Sequence, residues 1–159
     1  MKTAITILIC RLLRFAGSLL GRGSSLPGEI ALKLCPDILS RVRLPRTVIA
    51  VTGSNGKTST VEMIAHILTS AGKSFAYNRE GSNQIEGVTA LILCSCTLSG
   101  RFRKDILLIE SDERYAKHTF KYVKPTHYVI TNLYRDQLTR NGHPEWVYDA
   151  IKELSLIHI

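Results

Sequence analysis

The sequence predicts an α/β fold, a P-loop-type parallel sheet flanked by helices and preceded by an N-terminal amphipathic helix. Three observations predict it. Thr47, Val48, Ile49 and Val51 make a β-branched strand that runs directly into a loop bearing Gly53 and Gly56. Beyond the loop, Val61, Ile64, Ala65 and Leu68 recur at helical spacing. Short apolar runs then alternate with helical stretches, a pattern that gives parallel strands joined by crossover helices. With 159 residues, 45% of them hydrophobic, the chain can fill one sizeable core.

Residues 1–20 place Ile5, Leu8, Ile9, Leu12, Leu13, Ala16 and Leu20 on one helical face, with Arg11, Arg14 and Ser18 on the other. The arginines interrupt the apolar run that a membrane-spanning helix requires, and no small-residue cleavage site follows to mark a secretory signal. A basic amphipathic helix remains. We expect it to dock on the domain, with an anionic membrane surface as the alternative. Residues 21–28, rich in glycine, connect it to a short segment at 29–39.

The strand at 47–51 opens the main domain, and the helix at 58–71 stops at Gly72. A short strand at 74–77 and a polar loop at 78–83 follow. The apolar run at 88–98 has no decisive period and reads as a helix from its place in the alternation. Next come a strand at 105–109, a helix at 113–121 and a strand at 126–130. Pro144 opens a last helix that aligns Trp146, Val147, Ala150, Ile151 and Leu154.

The loop Gly53-Ser54-Asn55-Gly56-Lys57-Thr58-Ser59 is built for a nucleotide triphosphate. Its glycines let successive N–H groups converge on one anion, and the helix that starts there aims its positive end at the same point. Lys57 supplies a point charge for the outer phosphates, and the Thr58 hydroxyl a ligand for Mg²⁺. Val51 stands where the longer pattern has a glycine, so the match is to Gly-x-x-Gly-Lys-Thr.

Ligands of parallel sheets collect at the carboxyl ends of the strands. Glu110, directly after four apolar residues, emerges there; it either takes Mg²⁺ opposite Thr58 or caps the next helix, a task Asp112 can also perform. The run Thr131-Asn132-Leu133-Tyr134-Arg135-Asp136-Gln137-Leu138 leaves the next strand at the same edge. It is either part of the site or an ordinary polar turn.

The net charge of +8 allows nucleic acid, an anionic membrane or small anionic substrates as partners. No basic run interleaves with stacking aromatics, so nucleic acid is not expected. Cys10, Cys35, Cys94 and Cys96 contain no Cys-x-x-Cys pair; they read as buried thiols of a reducing compartment and do not support a zinc ribbon.

Four strings together resemble the Mur ligase central domain: residues 51–60, the Asn78-to-Asn83 loop with Glu80-Gly81-Ser82-Asn83, Glu110-Ser111-Asp112-Glu113 and the Thr131-to-Leu138 run. The Leu26-Pro27-Gly28 and Arg135-Asp136-Gln137 strings are similar, more narrowly, to the MurT subfamily, whose members pair with the glutaminase GatD. The resemblance implies an ATP- and Mg²⁺-dependent ligase of peptidoglycan synthesis. In it the α-carboxyl of D-glutamate in the lipid II stem peptide becomes an acyl phosphate, and glutamine-derived ammonia displaces the phosphate.

Carried over by position, Gly53, Ser54, Asn55, Gly56, Lys57, Thr58 and Ser59 bind the phosphates, while Thr58 and Glu110 hold Mg²⁺. Lys57, Asn83, Asn132 and Gln137 are the catalytic candidates. The resemblance divides the chain into a helical lead at 1–45 and an ATP-binding central domain at 46–159. It places the protein in the cytoplasm, peripheral at the inner face of the membrane. Full-length members also carry a zinc insertion and a C-terminal domain not found in these residues, so we expect a truncated, inactive piece. Other Mur-type ligases such as folylpolyglutamate synthase, and a non-catalytic nucleotide-binding module, are the alternative readings.

Overall fold

Successive side chains of the two central strands face different cores, which is why both strands read as unbroken apolar runs. In the computed structural model, which describes residues 1–19, 25–78, 84–112, 116–132 and 152, β1 (Thr47–Thr52) and β3 (Ile106–Glu110) lie side by side. Val48 and Ala50 of β1, with Leu107 and Ile109 of β3, enter one core. Val51 and Leu108 enter the other. A period of two thus divides each strand between two layers of helices.

The sheet has the order β2-β3-β1-β4 and is parallel throughout, with β2 at Phe75–Tyr77 and β4 at His127–Ile130. Val51 pairs with Glu110, and Thr52 with Ile130. The register therefore brings the carboxyl ends of β1, β3 and β4 to one edge. Chain order departs from β1 to β2 on one side and reaches β4 on the other, so β1 borders a topological switch point.

Helix α3 (Lys57–Ser70) covers one face through Val61 and Ala65, with Ile64 and Leu68 half-buried beside them, on the spacing the sequence predicts. The other face carries α1 (Lys2–Leu19), α2 (Leu26–Leu34), a 3-10 turn (Ile38–Arg41), α4 (Ile85–Ser95) and the short α5 (Ala116–Phe120). The 88–98 run is a helix that begins three residues earlier and ends three earlier than expected. Residues 113–115 of the helix predicted at 113–121 lie outside the described residues, as does all of the helix predicted from Pro144 except Lys152.

The Leu26-Pro27-Gly28 string now has a physical account. Pro27 opens α2, where its missing N–H costs nothing. A Cβ on Gly28 would lie 1.8 Å from the Glu86 carbonyl oxygen, so only glycine lets α2 touch the backbone of α4.

Helix α1 docks as expected, but not through the expected face. Thr6, Ile7 and Cys10 are buried, whereas Ile5, Leu8, Leu12 and Ala16 are exposed. The seam with α4 is close and polar: the Arg11 guanidinium donates to the Cys96 carbonyl and the Cys10 thiol meets Cys94. Small or bondable residues let the helices approach there, which apolar periodicity alone does not reveal. Ile7, Cys10, Ala31 and Cys35 share one core cluster with Val48, Leu107 and Leu93. All four cysteines are free thiols, three of them buried. No helix among the described residues is long and apolar enough to cross a membrane.

Candidate functional site

At the edge where β1, β3 and β4 end, the chain turns at Gly53 with φ 130° and at Gly56 with φ 80°, both in the region glycine favours. Gly56 is the N-cap of α3, and the helical ladder begins with Thr60 N–H donating to the Gly56 carbonyl at 2.9 Å. The first-turn N–H groups of residues 57–59 therefore stand outside that ladder, at the positive end of a fourteen-residue helix.

The loop is held from behind by the two residues that follow β4. Ser54 N–H donates to the Asn132 carbonyl at 3.0 Å. The Asn132 side chain brackets Asn55, accepting from its N–H at 3.0 Å and donating to its carbonyl at 3.0 Å. Thr131 Oγ1 donates to the carbonyls of Asn55, at 2.7 Å, and Thr52, at 3.2 Å. A Cβ on Gly53 would fall 2.2 Å from that same hydroxyl oxygen. The loop conformation is thus set by non-local contacts across the β1–β4 pair.

A cavity of about 270 Å³ opens between residues 54–59 and Glu110. Lys57 Nζ lies across it, donating to the Gly53 carbonyl at 2.5 Å and to Ser54 O at 3.5 Å. Thr58 Oγ1 donates to Glu110 Oε2 at 2.9 Å. Glu110 is buried, its own N–H donating to Asn78 Oδ1 at 3.3 Å. A hydroxyl and a carboxylate oxygen thereby converge beside an ammonium group. Hard oxygens from one carboxylate and one hydroxyl, with room left for phosphate and water, fit Mg²⁺, which takes few protein ligands. Among the described residues no cluster of three or more His, Cys, Asp or Glu side chains forms a metal site of the closed kind.

The structure brings Gly53, Ser54, Asn55, Gly56, Lys57, Thr58, Ser59, Glu110 and Asn132 together. Asn83 and Gln137 lie outside the described residues. Thr131, Asn78 and the buried Ser111, whose hydroxyl oxygen has no hydrogen-bond partner among the described residues, lie in strings the sequence singles out but receive no individual role from it. The position of Thr131 directly after a predicted strand was its signal; Asn78 and Ser111 were marked only by the strings that contain them.

Residues 51–156, well over half the chain, match the family described as Mur ligase middle domain. The chain belongs to the Mur ligase family. Among curated Mur relatives it is 36% identical to the lipid II isoglutaminyl synthase (glutamine-hydrolyzing) subunit MurT of Streptococcus pneumoniae, over 95% of this chain and 33% of that protein. Similarity to the same subunit of Staphylococcus aureus is 33% over 96% of this chain and 35% of that protein. This Mur ligase chain therefore spans about a third of the length of the curated relatives it matches. Of solved structures, MurF from Acinetobacter baumannii aligns with a TM-score of 0.59 and 26% identity, over 79% of this chain and 27% of its own. MurF from Thermotoga maritima, solved in complex with ADP, shares the fold with a TM-score of 0.62 at 24% identity, over 80% of this chain and 29% of its own.

Proposed function

We propose that this Mur ligase chain is the nucleotide-binding part of an ATP-dependent amide-forming ligase of peptidoglycan synthesis, a MurT-like subunit acting on lipid II. The observation that carries the reading is the Thr58–Glu110 oxygen pair beside Lys57 at the start of α3. Residues 46–159 supply the ATP site, and residues 1–45 pack on it as a helical lead. The similarity to MurT subunits across nearly the whole chain supports the choice of substrate and of a GatD-like glutaminase as partner.

A carboxylate is a poor electrophile at neutral pH. In the proposed reaction an α-carboxylate oxygen of D-glutamate bonds to the γ-phosphorus of ATP and ADP leaves. Ammonia from the partner then attacks the acyl carbon, and the C–O bond to phosphate breaks with loss of a proton. Two anions must meet in the first step, so the site must cancel charge. Lys57 exchanges the Gly53 and Ser54 carbonyls for phosphate oxygens, and the first-turn N–H groups of α3 orient the same phosphates. Thr58 and Glu110 would hold Mg²⁺, which when bound neutralises charge on the phosphates. Asn132 keeps the loop in shape through Asn55. Asn83 and Gln137 complete the reacting centre in this reading. The lipid-borne substrate assigns the protein to the cytoplasmic face of the membrane.

Calorimetry with a nonhydrolysable ATP analogue tests the reading. The chain should release heat that depends on Mg²⁺. Lys57→Ala should weaken binding by about tenfold or more, the scale of a lost charge-assisted hydrogen bond. Glu110→Gln should chiefly reduce the Mg²⁺ dependence. Equal heats from wild type and Lys57→Ala would overturn it.

A further inference from the structure

The docked helix α1 turns an apolar stripe outward. Ile5, Leu8, Leu12 and Phe15, spaced by three and four residues, are 53%, 48%, 59% and 66% exposed, and Met1 continues the line. These side chains lie along one face, opposite the buried Thr6 and Cys10. A contiguous exposed stripe of this kind marks a surface that meets something apolar.

The surroundings say what. Residues 1–19 contain no acid; of their cations Lys2 is exposed, while Arg11 is engaged with the Cys96 carbonyl in the α4 seam and Arg14 lies beside Cys10 and Cys94. The amino end of α1 abuts the loop before β3: Thr3 Cγ2 lies 3.7 Å from an ideal Cβ on Gly100. From that loop a groove of about 990 Å³ continues, carrying Arg43, Arg46, Arg101, Arg103 and Lys104 against the single acid Asp105. All five cations are exposed. None forms an ion pair among the described residues. The groove adjoins the residues that precede β1 and β3, Arg46 and Asp105, and so lies at the sheet edge opposite the nucleotide loop.

We infer that α1 and the adjoining cationic groove form a docking surface for an anionic lipid bilayer, with the stripe from Met1 to Phe15 lying in the interface and the arginines on the headgroups. A helix that turns an apolar face outward next to a patch of exposed cations, here those of the groove, binds in this way without crossing. A second copy fits poorly. Residues 1–19 hold no acid to pair with a second copy's cations, and two chains of net charge +8 repel. The inference does not depend on the ligase reading, since the surface lies away from the nucleotide loop.

Flotation of the full 159-residue chain with vesicles tests it. The chain should float with phosphatidylcholine vesicles that contain phosphatidylglycerol and stay behind with phosphatidylcholine alone, and salt should weaken the association. Leu8→Gln/Leu12→Gln and, separately, Arg43→Glu/Arg101→Glu should each reduce flotation by about tenfold or more. All four side chains are exposed, so the melting temperature should hold. Absence of wild-type flotation, or equal flotation of the variants, overturns the inference. So does a dimer seen by light scattering without vesicles and lost in Leu8→Gln/Leu12→Gln, which would assign the stripe to a second copy.

Discussion

Gly53 shows how one residue ties sequence to site. Its φ of 130° and the Thr131 hydroxyl 2.2 Å from any Cβ leave no room for a side chain. Gly53→Ala should cost about 1–3 kcal/mol in local strain and should disengage the Thr131–Asn132 bracket, with nucleotide-analogue binding lost in calorimetry. Cys94 is a second residue-scale case. The hydrogen bond from the Cys10 thiol, aided by Arg14 and Arg11, holds Cys94 down at about 7. The same bond, with burial, pushes Cys10 up. A depressed folded value means that Cys94 ionises in the native state first, so its contribution to stability grows as pH rises from about 7 towards the ordinary thiol value of 9.0. Alkylation of Cys94 should therefore be half-maximal near neutrality, and Cys10→Ala should move that midpoint upward.

At the scale of elements, β1 and β3 are where local propensity, alternation and tertiary packing agree. Leu108 is fully buried among Val51, Val61 and Ala65, between the sheet and α3. Leu108→Ala should destabilise by about 2–5 kcal/mol in denaturant unfolding, the cost of lost burial plus the cavity left behind. The strands were legible because each is apolar on both faces and bounded by polar residues. The boundaries of α4 were less so, since the 88–98 run carries no period and Gln84, at the N-cap, makes no side-chain capping hydrogen bond that would mark a start at Ile85. Helix α1 marks the limit of periodic reasoning. Its stronger apolar stripe lies outward and its weaker face, with Thr6, Ile7 and Cys10, packs against α2 and α4. Gly28 contributes by letting those two partners touch each other.

Across the whole molecule, the sheet separates two surfaces. The nucleotide loop lies at the carboxyl edge, as expected of parallel sheets, and the cationic groove and the amino end of α1 lie at the other. The chain spans about a third of the curated Mur relatives, and the proposed amidation needs a second substrate and an ammonia source as well as ATP. Nucleotide binding itself needs neither of these, so the 159 residues should bind the ATP analogue with lipid II and ammonia absent, as measured by calorimetry; binding seen only once either is added would refute that expectation.

The residues by themselves determined the strand–loop–helix unit around Lys57, the parallel order of elements and the emergence of Glu110 at a strand end, because each rests on local chemistry or short-range periodicity. Only the tertiary structure decided that Thr131 and Asn132 clamp the loop from a strand nearly eighty positions away, at separations of 76 and 77 residues. It alone decided which face of α1 meets the domain, since helix docking depends on how closely two backbones approach and on the polar groups that find partners there.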